Sequence, residues 1–466
     1  MQEELYISLI MKKIFLWWLL IILSLNLNAQ VQQKLSAAMT AYLKDAQFAH
    51  ALNGFYVVET KTGKPVYDLN SELGFAPASS QKILTAIAGF ELLGSDFTYS
   101  TTIYYTDGNL IIRGSGDPSF GSWRFEQTKR EKVLNLVIGA MKKKGIQKIG
   151  GDIIFDNSAC SYQPLPAGWI WEDIGNYYGA GSWAINWNEN QYDLLLQAGS
   201  KEGDSVTILG TNPETGLAFR NFLSTGKPGS GDNGYIYLPP YGKNPFVEGT
   251  EAPSLKPVTI SGSLPDPAMQ LGKELRAELQ KNKIGFEGDV VVNFDPLNSP
   301  PSEVLLNLYS PRYDSLCYWF LQKSINLYGE AIAKTIAIQQ NKAGSNEEGV
   351  KVIRDFWKKN GIDPGAINII DGSGLSPQNR VTPAALVDVL QFAKQKSWFP
   401  QFLKAMPLYN GIKMKSGTIG GSKAFAGYVT SRNGTEYTFA IISNNFSGSA
   451  GAVVQKMYKV LNVLKE

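Results

Sequence analysis

The spacing of hydrophobic residues limits what this chain can fold into more than any other feature. Over 33–51 they recur at three- and four-residue steps (Leu35, Met39, Leu43, Phe48), a helical pattern. Apolar runs at 55–59 and 65–69 then flank Lys61-Thr62-Gly63-Lys64 as a hairpin, and a further apolar helix begins at Ser79. From about 98 to 300 the character changes to short β-like runs (101–105, 110–113, 192–196, 206–209) separated by Gly, Pro and Asn. Helical patterns return over 314–339, 347–360 and 383–396, followed by strand-like 424–430 and 437–443 and a last helix from Ala452. An N-terminal piece of about 70 residues would have a thin core on its own, because short chains bury too little surface. The simplest architecture is therefore α/β (α+β): one domain made from both chain ends, 30–97 and 302–466, interrupted by a β-rich insertion, 98–301, of one or two subdomains. Joints near Gly94 and Ser299-Pro300-Pro301 suit those boundaries. Consecutive independent domains are the alternative.

A net charge of +3, from 44 basic and 41 acidic residues, points away from nucleic acid as a partner. Met11 to Ala29, MKKIFLWWLLIILSLNLNA, joins two lysines, an apolar run broken only by Ser24, and a small-residue end. The run falls short of the ~20 residues of a membrane span and matches a secretory signal peptide, assigned to 1–29. An uncleaved anchor is the other reading. The expected mature protein begins near Gln30, is exported to the periplasm and keeps no integral membrane anchor. Cys160 and Cys317 have the option of bridging in such a compartment, but a chain of this length needs no staple, and free thiols are the simpler expectation.

The only histidine, His50, stands apart from any cluster of Cys, His and carboxylates, HExxH is absent, and no GxSxG elbow exists. No metal and no cofactor are expected, and serine chemistry would need a lysine as its base. Ser79 and Lys82 are three apart at a helix start, so they share a face, beside unpaired N–H groups that favour developing negative charge. Desolvation lowers a lysine pKa from ~10.4 by several units, which makes a neutral amine available to take the serine proton. Alternatively, Ser79 is only a helix cap and Lys82 only a solvated side chain. The tetrapeptide does not decide between them, since Ser224-Thr225-Gly226-Lys227 repeats the spacing, though ahead of Pro228-Gly229, where no helix forms. Gly229 to Gly234 is formally GxGxxG but neither follows a βα strand nor opens a helix.

Combination carries more weight. Ser79-x-x-Lys82 is followed by Ser324-Ile325-Asn326 in a helical region and then by Lys415-Ser416-Gly417-Thr418 ahead of a strand, the order SxxK, SxN, KTG of penicillin-binding proteins and β-lactamases. Ser431-Arg432-Asn433, Ser443-Asn444-Asn445 and Lys61-Thr62-Gly63 mimic single motifs, out of order or in turns. With PASSQKILT, IRGSGDPSFG, PAGWIWEDIGNYYGAG, KSIN, IIDGSGLSPQNRVTP and KMKSGTIGG, the chain resembles the D-alanyl-D-alanine carboxypeptidase/endopeptidase family of class C low-molecular-mass penicillin-binding proteins over nearly its whole mature length. Two departures stand out: Lys-Ser-Gly replaces Lys-Thr-Gly, keeping a hydroxyl, and the stretch 407–412 before it is shorter than usual, which bears on peptide selectivity.

The resemblance implies a β-lactamase/transpeptidase-like domain, an antiparallel sheet flanked by helices. It also implies a serine D-Ala-D-Ala carboxypeptidase or D,D-endopeptidase acting on peptidoglycan peptides and inhibited by β-lactams. Ser79 would be the nucleophile, Lys82 its base, Ser324 and Lys415 the proton return, and Asn326 the holder of Lys82 and the substrate amide. Ser416, Gly417 and Thr418 would bind substrate, with the N–H groups of Ser79 and Thr418 as oxyanion hole. A β-lactamase or esterase of the same fold and a non-catalytic wall-binding protein are the alternatives. Trp169, Trp171, Trp183 and Trp187 would serve either as sugar platforms or as core. If the motif copies are chosen correctly, Lys61→Ala and Ser224→Ala will be labelled by fluorescent penicillin at the wild-type rate; loss of labelling in either identifies the wrong copy.

Overall fold

This computed structural model describes Met11, Lys13, residues 30–297, 301 and 303–466. Apart from Met11 and Lys13 the signal-peptide segment 1–29 lies outside the described residues, as do Ser299 and Pro300 of the expected joint. Among the described residues no helix is long and apolar enough to cross a membrane. The chain forms two compact units: Met1–Ser80 with Arg380–Lys396 and Pro407–Glu466, and Gln81–Asn379 with Ser397–Met406.

In the first unit, the described strands form an antiparallel sheet in the order Leu408–Tyr409, Ile412–Ile419, Ser422–Thr430, Glu436–Asn444, Leu52–Glu59, Pro65–Leu69. The two chain ends thus meet in one sheet, Phe55 pairing with Ile441. Successive side chains point to opposite faces. Phe55, Val57, Phe425, Phe439 and Ile441 face Leu35, Met39, Val453 and Met457 of the 30–43 helix and the Ala450–Asn462 helix. On the other face, the Tyr428 hydroxyl donates to the Leu390 carbonyl at 2.6 Å, in the helix Pro383–Lys394. That helix starts where its sequence says it should: Thr382 Oγ1 accepts from Ala385 N at 3.0 Å and proline occupies the first turn. Such a cap contributes about 1 kcal/mol. His50 is an exposed residue on the connection into the first strand.

In the second unit, a mixed sheet runs Val290–Asn293, Ile153–Asp156, Asn109–Arg113, Ser100–Thr106, Val304–Tyr309. The segment 98–301 also contains two amphipathic helices, Arg130–Lys143 and Pro267–Lys281, whose Val133, Val137, Met141, Leu271 and Leu275 pack on Ile112, Ile153 and Phe155. A second apolar cluster, including Tyr192, Leu194, Leu223, Ile236 and Val247, lies between two three-stranded sheets. Trp169, Trp183 and Trp187 are buried, and of these four tryptophans Trp171 alone is exposed. Both cysteines are free and buried, and burial raises each thiol's pKa.

This unit also holds the helices Lys82–Leu92, Tyr313–Gln322, Asn326–Gln339 and Asn346–Lys359, with the short Phe399–Ala405. The pattern over 314–339 reads as one helix, but the chain breaks it at Lys323-Ser324-Ile325, where Ser324 has φ 57°. The Lys82–Leu92 helix packs so closely on Tyr313 that Gly89 has no room for a side chain. The Tyr313 hydroxyl donates to Ala86 O at 2.8 Å, and Phe90 stacks on Trp398 with centroids 4.8 Å apart. A Cβ at Gly89 would overlap the Tyr313 phenol. Gly89→Ala normally gains about 0.5–1 kcal/mol in a helix, but here overpacking costs about 1–3 kcal/mol. The variant is expected to melt at lower temperature than wild type; a higher melting temperature would contradict this packing.

Candidate active site

Ser79 lies in a 3₁₀ turn, Ala78–Gln81, that leads directly into the helix Lys82–Leu92. From Pro77 to Phe90 it alone is partly exposed; every other residue is buried. Ala78 immediately before it has φ 48°, a conformation non-glycine residues seldom adopt without strain. The approach to the turn is anchored by Asn444, whose Oδ1 accepts from Ala76 N at 2.8 Å and whose Nδ2 donates to Ala76 O at 3.2 Å. Ser422 Oγ donates to the same carbonyl at 2.7 Å. The strand Ile412–Ile419 lies against the turn at Gly417, where a Cβ would overlap Pro77 O and come within 2.9 Å of Ser80 N and 3.0 Å of Ser79 N. Only glycine permits that approach.

Lys82 is fully buried. Its Nζ donates to Asn326 Oδ1 at 2.6 Å and to the Ser373 carbonyl at 2.7 Å, and lies 5.9 Å from the Phe320 ring centroid. Asn326 Nδ2 donates to Tyr178 O at 2.7 Å, so its amide presents oxygen to the lysine. Desolvation lowers the Lys82 pKa to about 7, against the opposing pull of Asp371 and Glu330. At pH 7 an ordinary lysine is neutral in roughly one molecule in three thousand, whereas a group titrating at about 7 is neutral in about half. Burial thus leaves a substantial fraction of Lys82 as the neutral amine at pH 7. Of the two readings for it, the solvated side chain is excluded by its burial.

The loop holding Ser373 depends on Asp371. This fully buried carboxylate accepts from Gln81 Nε2, Trp169 Nε1, Gly374 N, Ser376 N and Asn379 Nδ2, all at 2.7–3.0 Å. Thr85 Oγ1 donates to Gly372 O at 2.6 Å, tying the loop to the turn above Lys82. Glu330, on the Asn326–Gln339 helix, accepts from Gly372 N at 3.0 Å; burial, and then the Asp371 charge, hold its pKa above the carboxylate range. The motif spacing gave no role to Asp371 or Glu330. Asp371 had a signal, an acid opening a Gly-Ser-Gly loop. Glu330 did not: with Lys334 one turn on it has the spacing of a surface ion pair, yet both are buried and Lys334 Nζ donates to Ser182 O at 2.6 Å.

Ser324, partly exposed, occupies the helix break just before Asn326. In the first unit Lys415 is fully buried, with Nζ donating to Ser416 O at 3.0 Å. Strand alternation puts Lys415 and Gly417 on one face and Ser416 and Thr418 on the other. Lys423, across the strand pair, donates to Thr418 Oγ1 at 2.6 Å and was not singled out by its sequence context. Among the motif mimics, Ser224 lies in the strand Arg220–Thr225, and Lys61-Thr62-Gly63 forms the hairpin turn.

The sequence profile described as the D-Ala-D-Ala carboxypeptidase 3 (S13) family matches residues 35–463. A D-alanyl-D-alanine carboxypeptidase of Actinomadura sp. (strain R39) is 26% identical over 450 residues, covering 89% of this chain and 82% of that protein. Among solved structures, penicillin binding protein 4 (dacB) from Haemophilus influenzae has a TM-score of 0.77 at 22% identity, covering 94% of this chain and 99% of that one. The same protein complexed with a β-lactam has a TM-score of 0.71 at 20% identity, over 90% and 97%. The fold is that of the penicillin-binding proteins, as the motif order implies.

The surroundings of Lys82 make a signed prediction. Glu330 raises the Lys82 pKa only to the extent that it is ionised, and its own pKa is held above the carboxylate range, so Glu330→Gln is expected to lower the Lys82 pKa slightly and never to raise it. The rise of the Ser79 penicillin-acylation rate with pH should then begin at lower pH than in wild type. A profile that stays put or moves upward would exclude this coupling.

Proposed function

The chain belongs to the D-Ala-D-Ala carboxypeptidase 3 (S13) family, and from that membership we propose that it is a serine-type D-alanyl-D-alanine carboxypeptidase and D,D-endopeptidase of peptidoglycan stem peptides, open to acylation by β-lactams. One observation carries the reading. A lysine three residues beyond a partly exposed serine is buried and held by an asparagine oxygen and a carbonyl, and that burial pushes its pKa down to about 7.

In the proposed reaction Ser79 attacks the carbonyl between the terminal D-alanines as Lys82 accepts its proton. The N–H groups of Ser79 and Thr418 receive the oxyanion, a donor of this kind contributing roughly 3–4 kcal/mol. Ser324, assisted by the charge of Lys415, relays the proton from Lys82 to the leaving amine, which leaves Lys82 neutral again. Asn326 holds Lys82 and the substrate amide, and Ser416, Gly417 and Thr418 receive the terminal D-alanine and its carboxylate. Water then attacks the acyl carbonyl as Lys82 accepts its proton, and Lys82 returns that proton to the departing Ser79 oxygen, restoring both groups. A β-lactam enters the same route and stops at the acyl-serine.

We assign 30–97 and 302–466 to the catalytic domain and 98–301 to an insertion in it. The segment Met11–Ala29 supports export to the periplasm with removal of the signal.

Fluorescent penicillin should label the wild type and not Ser79→Ala, and diacetyl-Lys-D-Ala-D-Ala should lose its terminal D-alanine; labelling without peptide turnover would favour a β-lactamase or esterase. Lys82→Arg cannot lose its proton, and Lys82→Met, closer in shape to the buried lysine, cannot accept one. Both should be acylated about 10²–10⁴-fold more slowly. Lys415→Arg retains the charge and part of the rate, whereas Lys415→Ala loses most of it. Melting curves establish that each variant is folded. A folded Lys82→Met acylated as fast as wild type would remove Lys82 from the base role.

A further inference from the structure

Thr418 and Lys423 are direct cross-strand partners in the antiparallel pair Ile412–Ile419 and Ser422–Thr430. Lys423 is only 7% exposed, while Thr418 is exposed. The Lys423 ammonium donates to Thr418 Oγ1 at 2.6 Å, and its Nζ lies 4.9 Å from the Phe425 ring centroid. Among the described residues Lys423 has no carboxylate partner within ion-pair distance.

Donor arithmetic gives this pair a direction. An ammonium has three donors and no acceptor, and a threonine hydroxyl has a single hydrogen. Once Thr418 Oγ1 has accepted from Lys423, its own hydrogen is directed away from the lysine and is available to another acceptor. An exposed hydroxyl donor backed by a buried cation is suited to an anion. Ser416, two residues earlier on the same strand, supplies a second hydroxyl on that face.

We infer that Lys423 is a positioning residue of the substrate-carboxylate subsite, orienting the Thr418 hydroxyl as a donor and supplying a positive charge from the second rank. The inference rests on the reading of the chain as a serine acyl-enzyme whose Ser416 and Thr418 receive a carboxylate. Desolvation lowers the Lys423 pKa to about 8, which still leaves the side chain mostly cationic at neutral pH. An arriving carboxylate would relieve the cost of burying that charge, so the interaction acts mainly on binding.

Penicillin G and its methyl ester separate a carboxylate effect from a general one. Acylation is followed to saturation for wild type, Lys423→Met and Lys423→Arg, giving the acylation rate constant and the half-saturating concentration separately. Methionine preserves the bulk of the buried stem, and melting curves check that it folds. For penicillin G, Lys423→Met should raise the half-saturating concentration about ten- to a hundredfold, with little change in the rate constant, as for loss of a charge-assisted hydrogen bond. The methyl ester should lose much less, and Lys423→Arg should recover most of the affinity for the acid. Unchanged saturation by penicillin G, an equal loss for acid and ester, or a loss confined to the rate constant would each overturn the inference. A wild type that penicillin does not acylate would instead overturn the reading beneath it.

Discussion

An amine held away from water is the constraint on which the helical unit depends. Burying a full positive charge costs several kcal/mol unless it is paired, and a lysine avoids part of that cost by giving up its proton. Lys82 has Asn326 Oδ1 and the Ser373 carbonyl as acceptors, with Asp371 and Glu330 raising its pKa from their buried positions. Each of these requires a distinct piece of chain. Asn326 opens its helix only because the preceding helix stops at Gln322 and Ser324 turns into positive φ. Ser373 presents its carbonyl because Asp371 collects five donors and stiffens the loop. The Lys82 amine is therefore tuned by backbone geometry as much as by charged neighbours.

In the sheet unit the corresponding constraint is close approach of backbones. Gly417 lets the strand Ile412–Ile419 lie against the turn of Ser79, and Asn444 bonds both backbone groups of Ala76 just upstream. The strain at Ala78 persists because these contacts hold both sides of the turn. The oxyanion site proposed for the Ser79 and Thr418 N–H groups would need this rigidity, since donors contribute most when they are already placed before charge develops.

Much of the fold was legible because it rests on local periodicity. The hairpin around Lys61–Gly63, the helix capped by Thr382 and the last two long strands follow from alternation, caps and turn residues within a few positions. The break inside 314–339 was not legible: Lys323-Ser324-Ile325 contains neither glycine nor proline, and the apolar pattern continues through it. Tertiary bonds to the helix that follows hold a conformation that local propensity does not announce. The helices Arg130–Lys143 and Pro267–Lys281 were likewise hidden among strand-like runs, although Asp266-Pro267 is a helix start whose Asp266 side chain accepts from Met269 N.

The sequence by itself determined the order of three motifs and the spacing of a serine and a lysine three residues apart at a helix start. Both are read along the chain, from residue type, order and spacing. Only the tertiary structure decided that Lys82 is dry and titrates at about 7, that Asp371 organises the loop supporting it, and that Glu330 and Lys334 are buried rather than a surface pair. It also decided that Lys423 stands behind Thr418. Desolvation and cross-strand pairing depend on what the rest of the chain packs around a residue, and spacing along the chain carries little of that information.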